Sequence, residues 1–449
     1  MRSADLGSRR VAIWGLGREG RAAIGFLRKH HPTLPLILLD DIAEARIPHE
    51  HGGNFTCAFG PERIANALDE IDVVVKSPGV SLYRDDIRSA RERGVQITSL
   101  LNLWFAEKSD LTTIAVTGTK GKSTTASLIA HALTRVGRKV ALAGNIGVPV
   151  TEIGDADYAI IEVSSYQAAD FDGICDLAVL TSLYPEHADW HLSVEHYIRD
   201  KINLLRHSKC RIVNSSAADM VDPILGGSPG PKYLFNDERG IHSDDSAIFD
   251  GRDRIGFVRN DYLLRAHNRS NLCAALAVVK LLDIDLAAAL DATLDFRGLP
   301  HRQQELGENR NLLFVDDSIS TIPESTIAAL AVYAGRPITV IVGGFDRGID
   351  YGKLVEALST DGTVCAVICL GDSGRRIHAQ IGAVFALRGG FGCPLHLARS
   401  MKDAVSYAAW VTPPGGVVLL SPAAPSYGSY RDYIERGHDF AAEAALAAA

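Results

Sequence analysis

"VTGTKGKSTT", residues 116–125, closes an apolar run and opens an amphipathic one, "STTASLIAHALTRVG" at 123–137. Gly118 and Gly121, with Thr119 and Lys120 between them, let backbone N–H groups curl around a phosphate, and a helix start beyond them adds partial positive charge. Lys122 can reach β- and γ-phosphates, and Ser123 or Thr124 can hold Mg²⁺ through a hydroxyl. The spacing between the two glycines is shorter than the usual Walker pattern, but its placement between a strand and a helix is what the chemistry requires.

Working outward, apolar runs of four to six residues recur, and most end in glycine: "VAIWG" at 11, "IDVVVKSPG" at 71, "YAIIEVSS" at 158, "DLAVLTS" at 176, "ITVIVGG" at 338, "VCAVICLG" at 364 and "GVVLLSP" at 416. Continuous apolar strands alternating with amphipathic stretches predict an α/β fold, with parallel sheets covered on both faces. The runs fall into three groups, predicting domains at 1–106, 107–300 and 301–449. The stretch "GGSPGPKYLFNDERG" at 226–240 is rich in turn residues and reads as a surface excursion. The last residues, "AAEAALAAA", are strong helix formers.

The 449 residues carry a net charge of −8, with 47% hydrophobic and 22% charged residues. That balance argues against a general nucleic-acid binder. Seven scattered cysteines without CxxC spacing give no disulfide framework and no zinc site; Cys365 and Cys369 read as buried reduced thiols. No apolar run reaches the ~18 residues of a membrane-spanning helix, and "VAIWGLG" breaks too early for a signal segment. The expectation is a cytoplasmic protein that does not insert in membranes.

A second loop, "WGLGREG" at 14–20, matches G-x-G-x-x-G through Gly15, Gly17 and Gly20. The next apolar run ends in Asp40 and Asp41, about twenty residues on, where a ribose or base contact belongs. The glycines alone leave two classes open: a nicotinamide-linked dehydrogenase, or an ATP-driven enzyme whose first domain holds a different nucleotide.

The ordered set "GTKGKST" (118–124), "GNIGVP" (144–149), "EVSSYQ" (162–167), "LYPEHADWH" (183–191), "YIRDK" (197–201), "AHNRSN" (266–271), "GLPHR" (298–302), "DDS" (316–318) and "LSPAAPS" (420–426) resembles the Mur ligase family, and within it the members that add glutamate to UDP-N-acetylmuramoyl-L-alanine. The resemblance covers nearly the whole chain. It implies a Rossmann-like domain for the UDP end of the substrate, a central P-loop ATPase-type domain and a Rossmann-like third domain for the amino acid. ATP is then a co-substrate and Mg²⁺ a cofactor, and the reaction joins a carboxylate to an amine through an acyl phosphate. A folylpolyglutamate synthetase-type ligase would begin with its ATPase, whereas this chain begins with a nucleotide-type domain. A non-catalytic relative would have lost the metal and phosphate groups. The family's enzymes are expected as monomers.

The resemblance also assigns residues. Lys122, Glu162, His187 and Lys201 match the catalytic positions, with Glu162, His187 and a carbamylated Lys201 as magnesium-side groups. Gly15, Leu16, Gly17, Arg18, Asp40, Asp41, Ser77, Pro78 and Gly79 match the UDP side, and Asn145 and Ser164 the muramoyl-alanine side. Asn268, Asn271, Arg302 and Asp317 match ATP contacts. Domain closure would exclude water from the acyl phosphate. His191 has no assigned role.

The amino-acid pocket departs from the D-glutamate pattern. Where those ligases read "DSKAT", this chain reads "DDSISTI", with Ile319 for lysine, and a second lysine position is Arg347. Two carboxylates need paired donors when buried. Thr321, Arg347, Ser426 and Tyr433 are the candidates. A changed donor set resembles the L-glutamate-adding members, whose product needs a separate epimerase; the alternative is a D-glutamate ligase whose side chains here have drifted.

Overall fold

A computed structural model describes residues 1–43, 54–108, 110–184, 188–227, 230–387 and 392–446. It divides into two compact units, Met1–Phe296 and Arg297–Ala449. Three sheets are present among the described residues.

The first sheet comprises β1 (Val11–Trp14), β2 (Leu36–Asp40), β3 (Phe55–Phe59), β4 (Val73–Lys76) and β5 (Gln96–Ser99), ordered β3-β2-β1-β4-β5 and parallel throughout. All four residues of β1 and of β4 are buried, as a strand covered on both faces requires. The chain reverses its direction of strand addition between β1 and β4. The crevice beyond their C-terminal ends is therefore a topological switch point, where open α/β sheets take ligands.

The same unit holds the largest sheet: β6 (Thr112–Thr117), β7 (Val140–Gly144), β8 (Tyr158–Glu162), β9 (Cys175–Leu180), β10 (Ser208–Asn214), β11 (Lys232–Phe235), β12 (Ile241–Asp244), β13 (Ala247–Asp250) and β14 (Asp253–Phe257), ordered β14-β13-β12-β11-β10-β9-β6-β8-β7. β6 lies between β8 and β9, parallel to both. The last two pairings, β12 with β13 and β13 with β14, are antiparallel. One expectation is corrected here. The segment 226–240 is not only a surface excursion, because Lys232–Phe235 pairs with β10 and buries Phe235 completely. Gly226 and Gly227 before it and Asn236 after it all take positive φ, so turn chemistry on both sides masked a four-residue strand.

The second unit holds β15 (Gln304–Asn309), β16 (Leu312–Asp316), β17 (Ile338–Val342), β18 (Val364–Cys369), β19 (Leu395–Leu397) and β20 (Val417–Leu420), ordered β15-β16-β20-β17-β18-β19. Only β15 runs antiparallel. Hydrophobic clusters fill both faces of this sheet. All seven cysteines are free, and burial pushes the Cys369 thiol up to about 12. Among the described residues, no helix is long and apolar enough to cross a membrane.

Candidate active site

β6 ends at Thr117 and the helix Lys122–Arg135 begins five residues later, so the loop between them must turn sharply at the C-terminal edge of the sheet. Gly118 has φ +151° and Gly121 φ +85°. A methyl group on Gly118 would collide with Thr181 Oγ1, and one on Gly121 with Asn271 Oδ1. These glycines are required by backbone conformation and by close packing together. Ser182 holds the loop from one side: its carbonyl accepts from Thr119 N at 2.9 Å, and its hydroxyl from Lys120 N at 2.9 Å. Thr119 is buried, and its hydroxyl is 2.8 Å from Tyr197 Oη.

Two lysines converge on this loop. Lys122 Nζ donates to the carbonyl oxygens of Gly118 (3.0 Å) and Thr119 (3.1 Å), and Lys201 Nζ donates to the same Gly118 oxygen (2.9 Å). Their nitrogens are therefore no farther apart than about 6 Å. Lys201 is only 1% exposed. Both ammonium groups are thus held at the one loop, Lys201 from the buried side and Lys122 from the half-buried one.

Glu162 ends β8, beside the loop, because β8 pairs with β6 in parallel register, Val116 opposite Glu162. It is 1% exposed. Asn145 Nδ2 donates to its Oε1 at 2.9 Å, while Oε2 is buried with no hydrogen-bond partner among the described residues. A buried carboxylate oxygen without a donor suits a hard cation. Ser123, also buried, and the half-buried Thr124 open the helix beside it. These groups fit Mg²⁺. The fourth catalytic candidate, His187, lies outside the described residues.

Asn268 and Asn271 sit on the helix Ala266–Leu281, and Asn271 meets the loop: Thr125 Oγ1 donates to its Oδ1 at 3.3 Å. Asn268 Nδ2 donates to the Tyr262 carbonyl. Ser164 caps the short helix Ser165–Ala169 in a reciprocal box with Gln167, so its hydroxyl is engaged locally.

At the first sheet's switch point, Leu16 N donates to Asp40 Oδ2 (2.9 Å) and Ser77 Oγ to the Gly15 carbonyl (2.7 Å). Pro78 and Gly79 form the turn closed by Val80 N on the Ser77 carbonyl. Gly17 caps the helix Arg18–His30, and Arg18 Nη1 reaches the Gly147 carbonyl at 2.8 Å, joining this crevice to the loop that carries Asn145. Of the two aspartates, Asp41 is engaged by Arg84, whose Nη1 and Nη2 each lie 2.9 Å from it.

In the second unit, Asp317 is buried and accepts from Ser320 Oγ (2.6 Å), Ser421 Oγ (2.7 Å) and Gln303 N (3.2 Å). Burial lifts its pKa to about 6 despite those donors. Arg302 is exposed. Arg347 is exposed and donates to the Thr321 carbonyl at 3.0 Å, so these two candidates meet. Ile319 is half-buried, Ser426 is buried, and Tyr433 offers its carbonyl to Ser318 Oγ at 2.7 Å.

The sequence reading left one cluster unassigned. His191 is fully buried, with Nδ1 2.5 Å from Asp200 Oδ2 and Nε2 3.0 Å from Ser165 Oγ. Tyr83 donates to the same carboxylate at 2.8 Å, and burial first, then that bond, raise the phenol's pKa. Asp200 precedes Lys201, so the network orients the helix Val194–Arg206 that presents the lysine. No local periodicity connects residues 83, 165, 191 and 200, which meet only through the fold.

A mainly parallel sheet in which β6 runs into a glycine turn at a helix start, with a buried carboxylate ending the neighbouring strand, is the arrangement that suits a nucleotide-dependent enzyme of phosphoryl transfer. Comparison narrows the class. Residues 116–239 match the Mur ligase middle domain, and residues 301–424 the Mur ligase glutamate ligase domain. The UDP-N-acetylmuramoyl-L-alanine–L-glutamate ligase of Xanthomonas axonopodis pv. citri is 40% identical over 98% of this chain and 96% of its own. The ligase of the same name from a Micromonospora species is 41% identical over 98% of this chain and 97% of its own. Among solved structures, the UDP-N-acetylmuramate-alanine ligase MurC of Thermotoga maritima has a TM-score of 0.55 at 18% identity, covering 98% of this chain and 99% of that one. MurF of Acinetobacter baumannii has a TM-score of 0.56 at 16% identity, covering 97% and 90%; these two likenesses concern the fold. The chain belongs to the Mur ligase family and is an ATP-dependent ligase that forms amide bonds.

Proposed function

We propose that this enzyme adds L-glutamate to UDP-N-acetylmuramoyl-L-alanine, a step of peptidoglycan precursor synthesis. The supporting observation is that relatives named for that reaction match 98% of the chain; beside it, the amino-acid side of this chain departs from the D-glutamate pattern, with Ile319 in place of a cation and Arg347 donating to the Thr321 carbonyl. A lysine-to-arginine exchange replaces a point charge with a planar fork, so the two carboxylates of the amino acid are met from different directions.

The domains at 1–106, 107–300 and 301–449 then take the UDP end, ATP and the amino acid. The alanyl carboxylate attacks the γ-phosphorus of ATP, giving an acyl phosphate and ADP. The glutamate amine attacks the acyl carbon. The C–O electron pair leaves with phosphate, and the amine gives up a proton. Both the carboxylate and the γ-phosphate are anionic, so Lys122 and the helix start at Gly121 act by screening their repulsion. Lys122 must swing from the Gly118 and Thr119 carbonyls to do so. Glu162, His187 and the hydroxyl of Ser123 or Thr124 would hold Mg²⁺, which supplies charge neutralisation at the phosphates when bound. Lys201, if carbamylated, reacts as the free amine with CO₂, releasing a proton and becoming an anionic carbamate on the metal side. Asn268, Asn271, Arg302 and Asp317 complete the ATP side. The crevice of Gly15, Leu16, Gly17, Arg18, Asp40, Asp41, Ser77, Pro78 and Gly79 takes the UDP, with Asn145 and Ser164 on the muramoyl-alanine side. The L-configured product calls for a separate epimerase.

The test supplies UDP-N-acetylmuramoyl-L-alanine, ATP and Mg²⁺ and compares phosphate release with L- and D-glutamate. Turnover selective for L-glutamate is expected. Preference for D-glutamate overturns the handedness, and turnover with neither overturns the reaction.

A further inference from the structure

Two buried charged side chains face each other between the first sheet and the largest one. Lys76 ends β4, and its Nζ lies 3.2 Å from Asp170 Oδ2; the side chains are 1% and 4% exposed. Neither Asp170 oxygen has another hydrogen-bond partner among the described residues. Burial pushes the carboxyl's pKa up, and the Lys76 charge and hydrogen bond pull against it. The same ammonium lies 5.9 Å from the ring centroid of Trp190. That ring stacks on Tyr166 with centroids 4.6 Å apart, and the Trp190 carbonyl accepts from Ser81 Oγ at 3.0 Å.

Each partner is attached to a different wall of the site. Ser77 directly follows Lys76, and its hydroxyl holds the Gly15 carbonyl at the first sheet's switch point. Asp170 is the C-cap of the helix Ser165–Ala169, whose N-cap is Ser164. Asn102 pins the turn beyond that helix: its Nδ2 donates to the Asp170 carbonyl (2.7 Å), and its Oδ1 accepts from Asp172 N (3.1 Å). Asn203 Nδ2 donates to the Ala168 and Phe171 carbonyls, each at 2.9 Å, tying the helix to Val194–Arg206, which carries Lys201. A buried ion pair adds little net stability, because the water both ions give up offsets their attraction. Its preference for one geometry is strong, because separation leaves a bare charge in a dry place.

Resting on the proposed reaction, we infer that Lys76 and Asp170 are positioning residues that fix the span between the UDP crevice and the helix at Ser164. They act through the two walls and not on the substrate itself. The substrate bridges those walls, with uridine diphosphate at one and the alanyl carboxylate at the other. Both ends are satisfied together only at one separation. With the span fixed, the second end binds as though tethered at high local concentration, and the carboxylate arrives aligned with the γ-phosphate.

The test measures, by calorimetry with Mg²⁺ and a non-hydrolysable ATP analogue, the Kd of UDP and of UDP-N-acetylmuramoyl-L-alanine. The proteins are the wild type, the double variant Lys76→Met with Asp170→Leu, and Asp170→Asn; phosphate release is followed in each. The double variant removes both charges at similar volume, which buried pairs commonly tolerate. In it the factor by which the full substrate binds more tightly than UDP should fall about 10- to 100-fold, with the Kd of UDP within about twofold of the wild type and kcat reduced. Asp170→Asn keeps an oxygen facing Lys76, and should fold even if the double variant does not; it should show a smaller loss of the same kind. Partial unfolding lowers the number of binding sites and leaves that factor unchanged. If the wild type turns over but the variants keep its factor, or lose UDP binding in equal measure, the inference is wrong and the reaction stands. If the wild type binds the full substrate no better than UDP and turns over neither glutamate, the reaction is wrong and the inference falls with it.

Discussion

Replacing Glu162 by glutamine should make the enzyme more stable and less active. The carboxylate is 1% exposed and bonded on one oxygen only, by Asn145, with Oε2 unmet among the described residues. A buried acceptor without a donor costs ~1–3 kcal/mol, and more when charged. Glutamine keeps the oxygen that Asn145 needs and removes the charge. It leaves a neutral amide in place of the orphaned oxygen, so the metal-free protein should gain ~1 kcal/mol, or roughly 2 °C in Tm for a unit of this size. If that oxygen exists to meet a cation, the gain is bought with function: phosphate release should fall by about 10²- to 10³-fold. The assay is thermal unfolding with a non-hydrolysable ATP analogue present, with and without Mg²⁺. At ten times its dissociation constant Mg²⁺ should stabilise the wild type by ~1.4 kcal/mol and the variant hardly at all. Loss of about 2 kcal/mol in the metal-free variant, or equal stabilisation of both proteins by Mg²⁺, would refute the reasoning.

Other perturbations separate loop, lysine and carboxylate. Lys122→Ala should abolish phosphate release while leaving binding of the UDP-sugar measurable by calorimetry; loss of both together would indicate misfolding instead. Gly118→Ala meets both a φ of +151° and Thr181 Oγ1, and should lose ~2 kcal/mol or more together with ATP binding; a wild-type melting profile would contradict the loop geometry. Asp317, lifted to about 6 from its ordinary 3.8, binds its proton more tightly folded than unfolded, so its contribution to stability is complete only below its unfolded pKa of 3.8 and is lost as pH rises through 6. The stability of the wild type relative to Asp317→Asn should therefore fall by ~2 kcal/mol between pH 4 and 7, read by denaturant titration, and a flat difference would refute the shift.

Much of this was written in the chain's local order. The strands "VAIWG", "TIAVTG", "ITVIVGG" and "GVVLLSP" are legible because a strand buried on both faces must be continuously apolar and must stop where the chain turns. The loops at Gly15 and Gly118 are legible because a chain that leaves a strand and turns at once into a helix needs glycines free to take positive φ. The strand Lys232–Phe235 escaped, being four residues between strong turn signals. What meets what across the fold was decided only in three dimensions. Residue 118 shares one carbonyl with lysines at 122 and 201 because strand order places the helix Val194–Arg206 over β6. Tyr83, Ser165, His191 and Asp200 close a network that no spacing announces, and Lys76 meets Asp170 only where the fold brings the first sheet to the largest one. Periodicity reports which face of an element is buried, since that depends on near neighbours along the chain. Which buried polar groups find partners depends on how crossovers order the strands, and that information is held jointly by residues a hundred positions apart.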